Sequence, residues 1–187
     1  MKILVSGFAP FDGDATNPSE ELLSWLATQT LDFELATVVL PVSFARAHEE
    51  LSRAIHAHAP DVVIATGLAK NRTELTVERI GINWVDARIP DNDGVVLKEQ
   101  KIEASGPDGL FARLPVSALV RAAQEAGVPA RISSSAGEYV CNHLLYQLLR
   151  KHPELPAGFV HLQSAAMFPG ILAMLNLLAR QPGLRDE

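Results

Sequence analysis

Cys141 is the one cysteine of the chain, and it lies at a seam. Small polar residues precede it, SSSAG over 133–137, and VCNHLLYQLLR over 140–150 follows with the apolar spacing of a helix. The pattern predicts a strand over 129–135, a turn at Gly137 and a helix over 138–151. The thiol then falls in the first helical turn, where unpaired N–H groups and the positive end of the dipole favour thiolate. The same N–H groups are candidates to stabilise an oxyanion. Simple packing, with the thiol as a small buried hydrophobe, is the competing reading.

A cysteine nucleophile needs a base, most often histidine. His143 is near in sequence, but two residues along a helix turn a side chain by about 200°. His56 and His58 face different ways and have no further ligands beside them, which argues against a metal site. His48 and His152 read as solvated. His161 ends the apolar run GFVH and is expected at the same sheet edge as Cys141, either as a base or as a satisfied core histidine. Glu78 lies among Leu75, Val77 and Ile80, where a carboxylate needs a partner. That partner is an imidazole to orient or an arginine, Arg79 or Arg88, unless the strand is half-exposed. Phe8 and Phe11, in the loop GFAPFDG over 7–13, suit either an apolar pocket wall or packing on a helix. The loop lacks the lysine and glycine spacing of a phosphate site.

The elements that must position these groups follow from periodicity. Buried strands are expected over 2–7, 34–42, 61–68 and 157–162, and an exposed or antiparallel strand over 73–87. Helices are expected over 17–29, 43–58, 116–127 and 169–180, the first capped by Asn17 with Pro18 behind it. Residues 90–109 form a long loop rich in Asp, Asn, Gly and Pro, a length that usually serves function. The alternation implies an α/β fold with a mostly parallel sheet covered on both faces, and ligands beyond the strands' carboxyl ends. With no repeat or linker, residues 1–187 read as a single domain.

A net charge of −6 and a pI near 5.5, without a basic run, make nucleic acid a poor partner. No apolar stretch approaches the roughly 20 residues of a membrane span. MKILVSGFAP reads as a buried strand and not as a secretory segment. A soluble, cytoplasmic protein is expected, with no internal disulfide.

Four stretches, in order, resemble the pyroglutamyl-peptidase I (pyrrolidone-carboxylate peptidase) family of cysteine peptidases. They are GFAPFDG with NPS, GLAKNRTELTVERIGINWVDARIPDNDG over 67–94, SSSAGEYVCNHLLY over 133–146, and GFVH over 158–161. The likeness implies a three-layer α/β/α sandwich of the phosphorylase/hydrolase-like type, usually a homotetramer, with no metal or organic cofactor. It implies removal of N-terminal pyroglutamate from peptides. Cys141 matches the nucleophile, His161 the general base and acid, and Glu78 the orienting carboxylate. Phe8 and Phe11 match the aromatic walls around the lactam. Asn17, Leu68, Arg88, Ile89 and Val140 match the rest of the substrate-binding set. A neutral, flat lactam suits an aromatic pocket without a carboxylate for an ammonium. Two departures stand out. Asp12 replaces the family's usual glycine, and LQSAAMFPGILAML after His161 leaves the usual pattern and is followed by a short C-terminal part. A non-catalytic binding module and a cysteine amidase acting on another small cyclic amide are the competing functions.

Overall fold

Apolar side chains alternate along the strands, and each set needs a cover, so the sheet is buried on both faces. In the computed structural model, residues 1–181 are described, and 182–187 of the expected domain lie outside them. The order is β1 (Lys2–Phe8), α1 (Pro18–Leu26), β2 (Glu34–Leu40), α2 (Ala47–His58), β3 (Val62–Leu68), β4 (Leu75–Glu78) and β5 (Ile80–Ile82). Then come β6 (Gly109–Phe111), α3 (Val116–Glu125), β7 (Ala130–Ser133), α4 (Val140–Lys151), β8 (Ala157–Leu162), a 3-10 turn (Ala165–Met167) and α5 (Phe168–Ala179).

Six strands form the main sheet in the order β2-β1-β3-β8-β4-β7, and β5 with β6 makes a separate hairpin. Ile3, Val5, Val62, Ile64, Val160 and Leu162 face α1, α3 and α5. Leu4, Val63, Ala65, Ala157 and Phe159 face α2 and α4. This is the three-layer sandwich expected. Asn17 caps α1 as its side chain accepts from the Ser19 N–H at 3.0 Å. Close approach fixes Gly7: a Cβ there would stand 2.0 Å from the Ser19 carbonyl oxygen.

The antiparallel reading of 73–87 holds at β4, and β7, expected to run with the other strands, is the one whose direction needs correction. β1, β2, β3 and β8 run parallel, but β4 is antiparallel to β8 and parallel to β7. The β7 terminus Ser133 therefore lies level with Phe159, not beside the end of β8. The stretch 73–87 divides into β4, buried at all four residues, and β5. The second helix begins at Ala47 and not at 43, because 44–46 form a turn around Ser43.

The long loop, extending to β6, is held by its own polar groups. Asp91 accepts from the N–H groups of Phe44, Asp93 and Val95, and the Asn92 amide donates to the Pro10 carbonyl. His48 and His152, expected in solvent, are half-buried where α2 meets α4, with ring centroids 5.9 Å apart. Burial, with His152 nearby, lowers His48 to about 4. No helix among the described residues is long and apolar enough to cross a membrane.

Candidate active site

The fifth residue of a strand closed in by neighbours on both sides has little freedom, and His161 is such a residue. It pairs with Gly67 on β3 and Thr76 on β4. Its side chain shares a face with Phe159, whose ring lies 4.7 Å from the imidazole. Because β4 runs antiparallel, Glu78 comes back along the same face. The Glu78 Oε1 lies 2.8 Å from the His161 Nδ1. With Nδ1 engaged by a carboxylate, it carries the proton, which leaves Nε2 as the acceptor.

Glu78 and His161 are both buried, at 0% and 4% exposed, so the charge on the pair must be balanced nearby. Arg72 does this. Its Nη1 lies 2.5 Å from the Glu78 Oε1, and its Nη2 donates to the Ser135 carbonyl at 2.8 Å. Burial opposes ionisation of Glu78, but hydrogen bonds from His161, Ser133 and Arg72 outweigh it and hold its pKa below the ordinary value. Burial lowers the His161 pKa, Glu78 raises it, and Arg72 lowers it again, with a net fall.

Cys141 is the second residue of α4, whose N-cap, Tyr139, has no side-chain cap. The first amides of the helix therefore lack internal partners. The sulfur rests over Gly67: a Cβ built there would stand 3.1 Å from Sγ and 2.8 Å from the Phe159 ring. Gly67 is the cross-strand neighbour of His161, so sulfur and imidazole stand over adjacent strands although β7 ends elsewhere. The chain returns from Ser133 through the Gly137 turn, at φ +84°, with Arg72 bonded to Ser135 on the way. The expectation that the helix terminus lowers the thiol pKa is not met. Burial, with the Glu78 charge adding to it, pushes Cys141 up to about 12, against smaller opposing effects from Arg72 and its own amide. The resting pair is a thiol and a neutral imidazole.

Both groups line one cavity of about 150 Å³. Phe8, Phe11, Asn17, Leu68 and Val140, all expected on the site, line it as well. Asn17 does so with its polar atoms already used: Oδ1 accepts from Ser19, and Nδ2 donates to the Ala9 carbonyl at 3.1 Å. It anchors the loop that carries Phe11. Arg88 and Ile89 do not line this cavity; they line an adjoining groove. Arg79 and Arg88, the other expected partners of Glu78, make no ion pair with it. Four residues were missed from the sequence: Val42, Ala136 and Tyr139 in the wall, and Arg72 behind the carboxylate. A buried glutamate calling for a cation was the one available signal for Arg72. His143 lies apart, its ring against Phe44 at 5.4 Å. Among the described residues no group of three His, Cys, Asp or Glu side chains is placed to hold a metal.

The arrangement can activate a thiol within a small, largely apolar chamber and present helix-terminal amides to a developing oxyanion. A family model described as pyroglutamyl peptidase matches residues 1–169. The pyrrolidone-carboxylate peptidase of Lactobacillus acidophilus is 43% identical over 166 residues, covering 87% of this chain and 83% of that protein. A mutant pyrrolidone carboxyl peptidase from P. furiosus has a similar structure, with a TM-score of 0.91 and 32% identity, covering 97% of this chain and 100% of that one. Bacillus amyloliquefaciens pyroglutamyl peptidase I also gives 0.91, at 30% identity, covering 100% and 99%.

Proposed function

Because the chain belongs to the pyroglutamyl peptidase family, we propose that Cys141, His161 and Glu78 carry that family's reaction in it. Its activity is that of a cysteine hydrolase removing N-terminal pyroglutamate from peptides. The lactam ring occupies the chamber between Phe8 and Phe11. His161 Nε2 takes the thiol proton as sulfur attacks the pyroglutamyl carbonyl, and the amides at the head of α4 receive the oxyanion. The imidazolium then protonates the departing amine. Water, deprotonated by the same ring, hydrolyses the thioester and releases pyroglutamate. Glu78 keeps the ring oriented and stabilises its charged form.

The observation that carries this reading is the 2.8 Å contact between Glu78 and His161 behind a chamber that the Cys141 thiol also lines. A fluorogenic pyroglutamyl amide, run beside the same reporter on alanine and on proline, tests it. Selective turnover is expected, and Cys141→Ala should abolish it while pyroglutamate still binds. Full activity in that variant would remove Cys141 from the nucleophile's role.

The reading extends to a single catalytic domain, a reducing cytoplasmic setting that keeps the thiol free, and a homo-oligomer, as a tetramer. Exposed Trp84, Val96 and Phe111, the last 66% exposed, are side chains such an assembly would cover. Light scattering giving a monomer mass would refute the assembly alone.

A further inference from the structure

The chamber accounts for the pyroglutamyl ring and leaves the departing peptide without a place. A groove of about 410 Å³ adjoins it and shares three wall residues with it: Phe11, Leu68 and Tyr139. Its charges divide into those already paired and those not. Lys70 is held by Asp14 at 2.6 Å and lies over the Phe11 ring, and Asp86 is paired with Lys98 at 3.0 Å. Asp12, Glu138 and Arg88 also line the groove, and no side-chain hydrogen bond or ion pair engages them among the described residues.

Their positions are not equivalent. Asp12 follows Phe11 and Glu138 precedes Tyr139, so each carboxylate adjoins a residue common to chamber and groove. Arg88 adjoins Ile89, which lines the groove and not the chamber, and the Pro90 carbonyl beyond it accepts from the Tyr139 hydroxyl at 2.8 Å. The groove's unpaired charged side chains are thus two carboxylates to one cation, and both carboxylates adjoin residues common to chamber and groove, where the residue after pyroglutamate must pass. Asp12 holds a left-handed backbone, φ +55°, on a loop anchored by Asn17 and Asn92, so its position is set by the loop.

We propose that this groove is the leaving-peptide subsite, and that Asp12 and Glu138 make it select a cationic side chain directly after pyroglutamate and reject an acidic one. This rests on the peptidase reading above. An exposed charge pair is worth about 0.2–1 kcal/mol, or about one-and-a-half- to fivefold per carboxylate, and it is screened by salt.

The test compares pyroglutamyl-lysyl-alanine, pyroglutamyl-alanyl-alanine and pyroglutamyl-glutamyl-alanine by kcat/KM at low and high salt. The lysyl peptide should lead the glutamyl one by about tenfold at low salt, and the gap should narrow at high salt. Asp12→Asn and Glu138→Gln should each reduce that ratio by about one-and-a-half- to fivefold. Asp12→Gly, which suits the left-handed backbone, should act like Asp12→Asn and guards against a folding artefact. Turnover of all three peptides at similar rates, or a ratio that survives in the double variant, overturns the proposal and leaves the peptidase reading intact. Failure to cleave any of them defeats the peptidase reading instead. The preference is then read from the Kd values of the same peptides for Cys141→Ala, where equal affinities overturn it.

Discussion

Glu78 and His161, both buried, share two charges with the half-buried Arg72 at the heart of the site, and Arg72 governs how they are divided. Glu78 raises the His161 pKa and Arg72 lowers it, so removing one or the other should move the acid limb of kcat/KM in opposite directions. As pH falls through the His161 pKa, the ring takes up a proton and can no longer accept one from sulfur. Glu78→Gln should therefore shift the limb to lower pH, and Arg72→Met to higher pH, each with kcat reduced by about 10²-fold. Shifts in the same direction would contradict this division of charge. Burial that pushes Cys141 up to about 12 gives a second prediction: thiolate ultraviolet absorbance should be absent at neutral pH and appear only under strong alkali. A thiolate band at pH 7 would refute the neutral resting pair. Cys141, His161 and Glu78 stood out as candidates because each broke the rule of its surroundings: a thiol at a turn, an imidazole ending an apolar strand, a carboxylate among aliphatics. Those surroundings left packing, a core histidine and a salt bridge open, and the family resemblance alone joined the three. Arg72 did not stand out, because it precedes β4 in a loop that gives no sign of turning back on the sheet.

Among the elements, β3 and β8 set how closely sulfur and imidazole approach, and Gly67 is the spacer. A methyl group there would press the Phe159 ring and the Cys141 sulfur, at 2.8 and 3.1 Å. Gly67→Ala should cost about 1–3 kcal/mol of stability, as overpacking generally does, and lower kcat more than it raises KM. Urea unfolding and steady-state kinetics check this; a variant with wild-type kcat would show that the contact yields freely. The main strands and helices were readable to within a few residues, because burial imprints its period on the sequence, but the short β5–β6 hairpin was not. The antiparallel alternative for 73–87 holds at β4. The direction of β7 was not readable, because its sequence says nothing of which neighbour it joins, and it follows β4 and so opposes β8. His161 and Cys141 were thus correctly expected together, for a reason the topology does not supply.

For the molecule as a whole, acid sensitivity should arise away from the catalytic groups, where α2 packs on α4. Burial, with other histidines adding to it, lowers both His48 and His143 to about 4. The unfolded chain protonates these rings below about pH 6.5 while the native chain leaves them neutral. Their contribution is therefore complete above that value and is lost as pH falls from about 6.5 through about 4, at most about 3 kcal/mol for His143 and less for the more open His48. The urea midpoint should fall between pH 7.5 and 5, and less steeply in His143→Gln; a midpoint that stays constant would refute the assignment.

The position of β8 carries a consequence for synthesis. It is the last strand among the described residues, yet it lies between β3 and β4 in the middle of the sheet. Until residue 162 has been made, β2-β1-β3 and β4-β7 have no strand to join them. The imidazole enters with that joining strand. A nascent chain of this design lacks its base until β8 is in place, and the two bare inner edges are what a chaperone would have to shield in the meantime.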